Sequence, residues 1–525
     1  MALARADRHD PLRGLQATLI AVVLVVAVVV VLGRANPLTT DLGRDSGNSA
    51  YIASHILRGN TIYVTAWNQK PPGIYYIDAV GLWLGRGSRW GIWAAELVFL
   101  WGASLAGLAG LSRMFGIGPA VAASAVWLAG LSQALEGGNL TEEYSLLFSF
   151  ISLWVFALAL DGRRSAWTSA AVGAALGFSF LLRANNVGVP FTILLTWLLL
   201  AALEHRRREA LRTVITSGLG FLLPVVATTL YFAHRGAVGP LLEGSLIFNA
   251  SYASHPDFLG SFQSGVISIG FAAGVGLAGI ALAVQTLREQ WKTRAFDALT
   301  LWLCFDFILE VLLSGLSGRN YPHYFISWLP WIAVASALLT KRLLPQTAEV
   351  RGGRAAALLA FFGLAMVVAS RTTLAEYART FDAVRETRAL LQRVDPAAQY
   401  VEDHTQQGET VLVWGGGAGI NFLAHRDAPS AYFLYGVLGE STLEDRIAAQ
   451  FMHDITTEPP VLILDMAGGQ GYEPLSPLTV VNPVAWSARE QVYAPPLLQE
   501  FFELVRTHYT LKTRVGTIPI YRLIP

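Results

Sequence analysis

Long apolar runs recur along most of this chain, and they limit its possible folds more than any other feature. A hydrocarbon core of roughly 30 Å needs about 20 mostly apolar residues per helix, and reading for that length gives about eleven candidate spans. They lie near 14–32, 91–112, 118–135, 144–160, 166–182, 187–203, 213–233, 264–286, 296–313, 324–340 and 355–370. The first run is longer than the usual signal h-region of about 7–15 residues, so it reads as a retained helix. Composition agrees: 53% of the 525 residues are hydrophobic and 14% are charged, against about 25% charged in an average soluble domain. The expected fold class is an α-helical polytopic membrane protein.

Orientation follows from where Lys and Arg fall in the short loops. With the N-terminus inside, Arg5, Arg8 and Arg13 are cytoplasmic, as are Arg113, Arg163, Arg164 and the cluster Arg206-Arg207-Arg208. Arg288, Lys292, Arg294, Lys341 and Arg342 fall on the same side. The short loops on the other side carry mainly Arg183, Arg235 and Arg319, although the longer segment 33–90 also holds Arg44, Arg58 and Arg86. The net charge of +1 gives no bulk basic surface for nucleic acid. The single cysteine, Cys304, excludes an internal disulfide and any cysteine-based zinc cluster.

This topology leaves two sizeable outer segments, residues 33–90 and 371–525, after a membrane module over 1–370. The tail is less apolar. It contains strand-like runs Glu409–Trp414, Pro460–Leu464 and Leu511–Leu523 with helix-like stretches such as Thr442–Phe451 between them. It reads as a small extracytoplasmic α/β domain. Gly415-Gly416-Gly417-Ala418-Gly419 follows a strand but lacks the G-x-G-x-x-G spacing, so it reads as a turn and helix start rather than a dinucleotide loop.

The first outer segment holds Asp41, then Arg44-Asp45-Ser46, then a helix-like stretch to Gly59. Asp45 or Ser46 is a plausible N-cap for a short surface helix, with Gly59-Asn60 as its stop. Asp45 is therefore either a cap or a catalytic carboxylate. Next comes Lys70-Pro71-Pro72-Gly73-Ile74-Tyr75-Tyr76, where a second surface helix can start at Pro71 or Pro72. Lys70 either snorkels to lipid head groups or pairs with a phosphate near the acyl boundary.

At the fourth span the chain reads Glu136-Gly137-Gly138-Asn139-Leu140-Thr141-Glu142-Glu143. Thr141 can cap the helix, and Glu142 and Glu143 suit its positive end; Glu136 adds a further carboxylate. Asn139-Leu140-Thr141 is formally a glycosylation sequon, but one too close to the bilayer to act as an acceptor. Arg183 ends the fifth span, and Arg319, His323 and Tyr324 lie in the late loop. Each alone suits interfacial anchoring. Together they place acids and bases on one side, near helix ends, where charge is expensive and usually functional. Such a lip could hold a lipid-linked phosphate and activate a hydroxyl.

An acid after the first span, a later Lys-Pro-Pro-Gly-x-Tyr-Tyr element and a soluble tail resemble the GT-C superfamily of polyprenyl-phosphate-sugar glycosyltransferases. More narrowly, residues 10–345 resemble bacterial relatives of protein O-mannosyltransferases and lipid A aminoarabinose transferases; the tail matches in position and size only. The resemblance implies that Asp45 is the base or acceptor-orienting carboxylate and that Lys70 contacts the donor phosphate. It implies that Glu142 or Glu143 is a second acidic site, with Arg183, Arg319 and His323 as further phosphate or acceptor contacts. Where relatives often carry Asp-Glu, this chain has the single acid of Arg44-Asp45-Ser46, which raises Asp41 as an alternative. Tyr324 is a further candidate.

The implied reaction is inverting transfer from a polyprenyl-phosphate-linked sugar to a hydroxyl-bearing acceptor at the bilayer surface. The resemblance fixes no cofactor, and a divalent metal shared by Asp45 and a glutamate is compatible with the chemistry. The rival expectation is a transporter or flippase, for which Glu96, Asp306 and Glu310 rather than the loop residues would be essential. A polysaccharide ligase or polymerase of related architecture is a third.

Overall fold

The computed structural model describes residues 11–38, 40–160, 164–252, 256–293, 296–343, 394–435, 443–467 and 475–525, with single positions between 371 and 381. The helices before the tail are α1 (Pro11–Val31), α2 (Arg44–Leu57), α3 (Gly73–Leu84), α4 (Arg89–Phe115) and α5 (Ile117–Ala134). They continue with α6 (Thr141–Leu158), α7 (Ala166–Leu182), α8 (Gly188–Leu203), α9 (Arg207–His234) and α10 (Val238–Leu242). The last five are α11 (Phe248–Tyr252), α12 (Phe258–Ser268), α13 (Phe271–Thr293), α14 (Ala298–Gly315) and α15 (Leu329–Leu343). Among the described residues, seven helical units are long and apolar enough to cross a membrane: α4, α5, α6, α9, α13, α14 and Pro322–Leu343. Shorter apolar helices, among them Ile20–Ala35, α7 and α8, pack with them. The chain is a multi-pass membrane protein. The span expected over 355–370 and the boundary expected at 370 lie outside the described residues.

One expected span is broken. The run 264–286 is divided between α12 and α13, because Gly270 sits at φ +50 and a Cβ there would meet the Gln133 side chain at 2.5 Å. A left-handed glycine ends one helix and lets the next set off in a new direction. Polar end turns explain why α13 and α9 extend beyond the apolar windows that marked them: the last turns of α13 carry Arg288 and Lys292, and the first turn of α9 begins at Arg207.

The loops sort to two ends of the bundle as the Lys and Arg pattern requires. At one end Arg235 donates to the Gly59 carbonyl at 2.6 Å and Asn249 to the Gln69 carbonyl at 2.6 Å. Asn185 there donates to the Leu313 carbonyl at 3.2 Å. At the other end Arg164 pairs with Glu209 at 2.8 Å, and Lys341 donates to the Met114 carbonyl at 3.4 Å. Between the ends the core is aromatic: Trp127, Trp302, Trp328, Trp331, Phe150 and Phe156 are all fully buried.

The tail carries a four-stranded sheet of order β1-β2-β4-β3, with β1 (Val411–Trp414) parallel to β2 (Leu462–Asp465). The hairpin β3 (Tyr509–Val515) and β4 (Ile518–Leu523) closes it, β4 running antiparallel to β2. Every residue of β1 and β2 is buried, as expected of strands covered on both faces. The strand and helix expectations for this segment fall on observed elements, with Glu444–Thr457 the helix expected near 442–451.

The tail is docked rather than tethered. The Gly415–Gly419 turn opens the helix Gly419–Leu423 and lies directly on α2: a Cβ at Gly47 would come within 2.7 Å of Gly419 Cα. Ala418 N–H donates to Asn48 Oδ1 at 2.8 Å, and Ala428 N–H donates to the Tyr51 hydroxyl at 2.9 Å. Arg58 forks onto Asp427 with bonds of 3.0 and 2.7 Å. Tyr51, Trp67 and Tyr75 share one apolar cluster with Phe433, Phe451 and Phe501 of the tail. At Gly415 and Gly419 the glycine run lets backbones approach closely, against Ala467 and Gly47.

Candidate active site

A cavity of about 630 Å³ opens at the loop end that faces the tail. Its walls come from the start of α2, the residues before α3, the loop into α6, the end of α7 and the loop after α14.

Helix α2 starts earlier than the residue pattern suggests. Gly43 is its N-cap, in extended backbone (φ −60, ψ 160), and no side chain caps that end. Asp45 is thus the second helical residue and neither it nor Ser46 is the cap. Its carboxylate instead lies 3.1 Å from Lys70 Nζ, the two side chains being 34% and 18% exposed. Burial raises the proton affinity of Asp45, but Lys70, then His323 and Arg44, outweigh it and hold the carboxyl well below the usual carboxylate range.

Lys70 is positioned through its backbone. The Tyr63 hydroxyl donates to its carbonyl at 2.8 Å, and its N–H donates to Asn68 Oδ1 at 3.2 Å. Pro72 is the cap residue of α3, which begins one position later at Gly73, where a Cβ would sit 2.7 Å from the Leu181 carbonyl. The two prolines lock φ and aim the lysine inward. The ammonium therefore meets a carboxylate in the cavity, which a lysine that only snorkels to head groups would not.

The second cation is Arg183, which ends α7 in extended backbone. Its guanidinium pairs with Glu142 and lies 3.8 Å over the Tyr324 ring. Thr141, expected as the cap of α6, is its first helical residue and donates its hydroxyl to Glu142 at 2.8 Å. The third pair is His323 Nδ1 with Glu136. His323 also stacks parallel to Tyr321, their centroids 5.7 Å apart.

Of the residues expected in the site, Asp45, Lys70, Glu142, Arg183, His323 and Tyr324 line this one cavity. Glu143, Arg319 and Asp41 do not. Glu143 follows Glu142 by about 100° around the helix, so it turns into the protein, fully buried, and accepts from Leu140 N–H at 3.4 Å. Arg319 belongs to a loop that lines the cavity through Leu316, Ser317 and Tyr321 instead. Asp41 is exposed and precedes α2. Sequence reasoning missed Arg44 and Tyr321 and gave Glu136 no partner, though all three line the cavity. The signal for Arg44 was its place next to Asp45.

Asp45 is engaged by Lys70 and Glu142 by Arg183. The pair best able to offer donors is His323 with Glu136, whose facing atoms supply two. Among the described residues no group of three or more His, Cys, Asp and Glu could hold a metal, and the chemistry below uses none.

No protein-family model matches the sequence, and no curated protein matches it. Solved structures do. ArnT from Cupriavidus metallidurans bound to undecaprenyl phosphate is 14% identical, with a TM-score of 0.58 over 96% of this chain and 98% of that one. The same ArnT in the apo state gives 0.53 over 97% and 98%, at 14% identity. The Archaeoglobus fulgidus oligosaccharyltransferase tethered to an acceptor peptide with an NVT sequon is 15% identical. It gives 0.51 over 85% of this chain and 68% of that one.

Proposed function

From the GT-C fold of this chain we infer that it is an integral-membrane inverting glycosyltransferase. It moves a sugar, a hexose or pentose, from a polyprenyl-phosphate carrier to a hydroxyl acceptor. The observation that carries this reading is the sharing of one cavity by the Lys70–Asp45 and Arg183–Glu142 pairs. The ArnT neighbour binds undecaprenyl phosphate, which suits a donor of the same lipid-phosphate class. The cationic opposite end supports a cytoplasmic N-terminus and a site on the outer face of a bacterial-type plasma membrane.

The chemistry follows from the pairs. A donor phosphodiester entering the cavity competes for Lys70 and Arg183 with carboxylates already bound to them. As Lys70 turns to the phosphate, Asp45 loses its strongest neutralising partner and becomes more basic. The acceptor hydroxyl then gives its proton to Asp45, its oxygen bonds to the anomeric carbon from the face opposite the phosphate, and the carbon–oxygen bond to the phosphate breaks. The electron pair leaves with the polyprenyl phosphate, whose growing charge the two cations stabilise. General-base help of this kind contributes about 10²–10⁴ in rate.

The transporter reading rests on Glu96, Asp306 and Glu310, and none of the three lines the cavity. Glu96 accepts from Asn139 N–H at 2.5 Å, and Glu310 lies against Gly188 at the start of α8. The test is transfer by the purified chain in detergent, using a polyprenyl-phosphate-linked hexose or pentose. Release of polyprenyl phosphate with an inverted glycosidic product supports the reading; donor movement across vesicles without glycosidic cleavage sinks it.

A further inference from the structure

The loop that joins α5 to α6 carries Glu136 into the cavity and delivers the chain to Glu142 at the start of α6, yet its backbone is held in unfavourable conformations. Glu136, Gly138 and Asn139 have φ of +51, +74 and +56, a region that non-glycine residues seldom occupy. Gly138 can be nothing larger, since a Cβ would meet Glu96 Oε1 at 2.3 Å and Ala35 Cβ at 2.4 Å.

What holds the loop is behind it. Asn139 is 1% exposed and is gripped by residues of three helices. Its N–H donates to Glu96 Oε1 of α4 at 2.5 Å, and its side-chain amide donates to Asp78 Oδ2 of α3 at 2.8 Å. The Tyr144 hydroxyl of α6 donates to its Oδ1 at 2.9 Å. Glu143, also buried, accepts the next N–H, that of Leu140, at 3.4 Å. One further oxygen on each of Asp78 and Glu143 is buried with no partner. A full set of anions so enclosed would carry a large desolvation cost, whereas proton-bearing carboxyls would not.

We propose that Asn139, Asp78, Glu96 and Glu143 are positioning residues that fix the Glu136–Glu142 wall of the cavity, with the carboxyls acting as neutral groups. The inference rests on the glycosyltransferase reading for its catalytic meaning, but its geometry does not. Asn139 is the centre of the set: it converts the stacking of α3, α4 and α6 into the placement of two cavity carboxylates. The neutral isosteres Glu96→Gln and Asp78→Asn preserve every acceptor that Asn139 uses.

The test compares Glu96→Gln, Asp78→Asn, Glu96→Ala and Asn139→Ala in detergent, measuring transfer, thermal midpoint and binding of undecaprenyl phosphate. The isosteres are expected within about threefold of the parent in kcat, and the alanine variants at least about tenfold lower. The midpoint of each alanine variant should still show cooperative unfolding. Loss in the isosteres as large as in the alanine variants would overturn the proposal, because charge would then be required. Parent-like behaviour of Asn139→Ala in transfer and binding would overturn it as well. If the parent chain binds undecaprenyl phosphate but transfers no sugar, the glycosyltransferase reading fails alone. The same ranking of variants, read in binding, then decides this proposal.

Discussion

Lys70 Nζ lies 3.1 Å from the Asp45 carboxylate, so the cation proposed to grip the donor and the base proposed to activate the acceptor are each other's partners before any phosphate competes. This sets an order of events in which binding of the donor prepares the base. Asp45→Asn is expected to lower kcat at least tenfold, about 1.4 kcal/mol in barrier, with a small change in KM for the donor. Lys70→Ala should lower kcat/KM by at least as much and raise the donor KM. Steady-state kinetics with varied donor separates the two, and unchanged turnover in Asp45→Asn would assign the base elsewhere.

Removing Arg183 strands Glu142, which is 2% exposed in its side chain. Breaking a buried pair in this way costs about 3–5 kcal/mol. The expected result is a marked drop in thermal midpoint for Arg183→Ala, largely restored by adding Glu142→Gln. Transfer should stay low in the double variant, since the phosphate contact is gone. Recovery of activity together with stability would show that Arg183 has only a structural role.

Asp78 gives the fold a pH dependence. Burial pushes its carboxyl up to about 8, against the opposing pull of Asn139 and Lys70. A raised folded value means that the native chain holds a proton which the unfolded chain has released. The stabilising contribution is complete below about pH 4, declines as pH rises, and is gone above about pH 8. The thermal midpoint should therefore fall more steeply between pH 6 and 8 in the parent chain than in Asp78→Asn. Parallel profiles would mean that Asp78 is ionised throughout.

The contact between Gly47 and Gly419 leaves no room for a side chain. Gly47→Leu is expected to lift the tail from α2, raising hydrogen exchange in residues 411–423 and lowering transfer several-fold. A variant with intact transfer and exposed tail amides would separate docking from catalysis.

Much of this fold is written in one-dimensional patterns. Apolar run length marks the helices of the bundle, and the alternation of Lys and Arg sorts their loops correctly, because insertion in a bilayer acts on local composition. Period and turn residues mark β1, β2 and the closing hairpin for a similar reason. The site is less legible. Asp45 and Lys70 stand out through their neighbours, but spacing cannot show that one binds the other. Glu142 and Glu143 are equivalent in sequence and differ only by rotation around α6. Asn139 reads as a discounted sequon although three helices converge on it, since contacts between distant segments leave no local trace. The break at Gly270 hides inside a continuous apolar run.

The glycine seam between α2 and the tail has a mechanical corollary. Gly47 is two residues from Asp45, so the tail and the proposed base sit on the same short lever. A graft that exchanges the lobe for that of a distant homologue should misfire unless helix α2 travels with it.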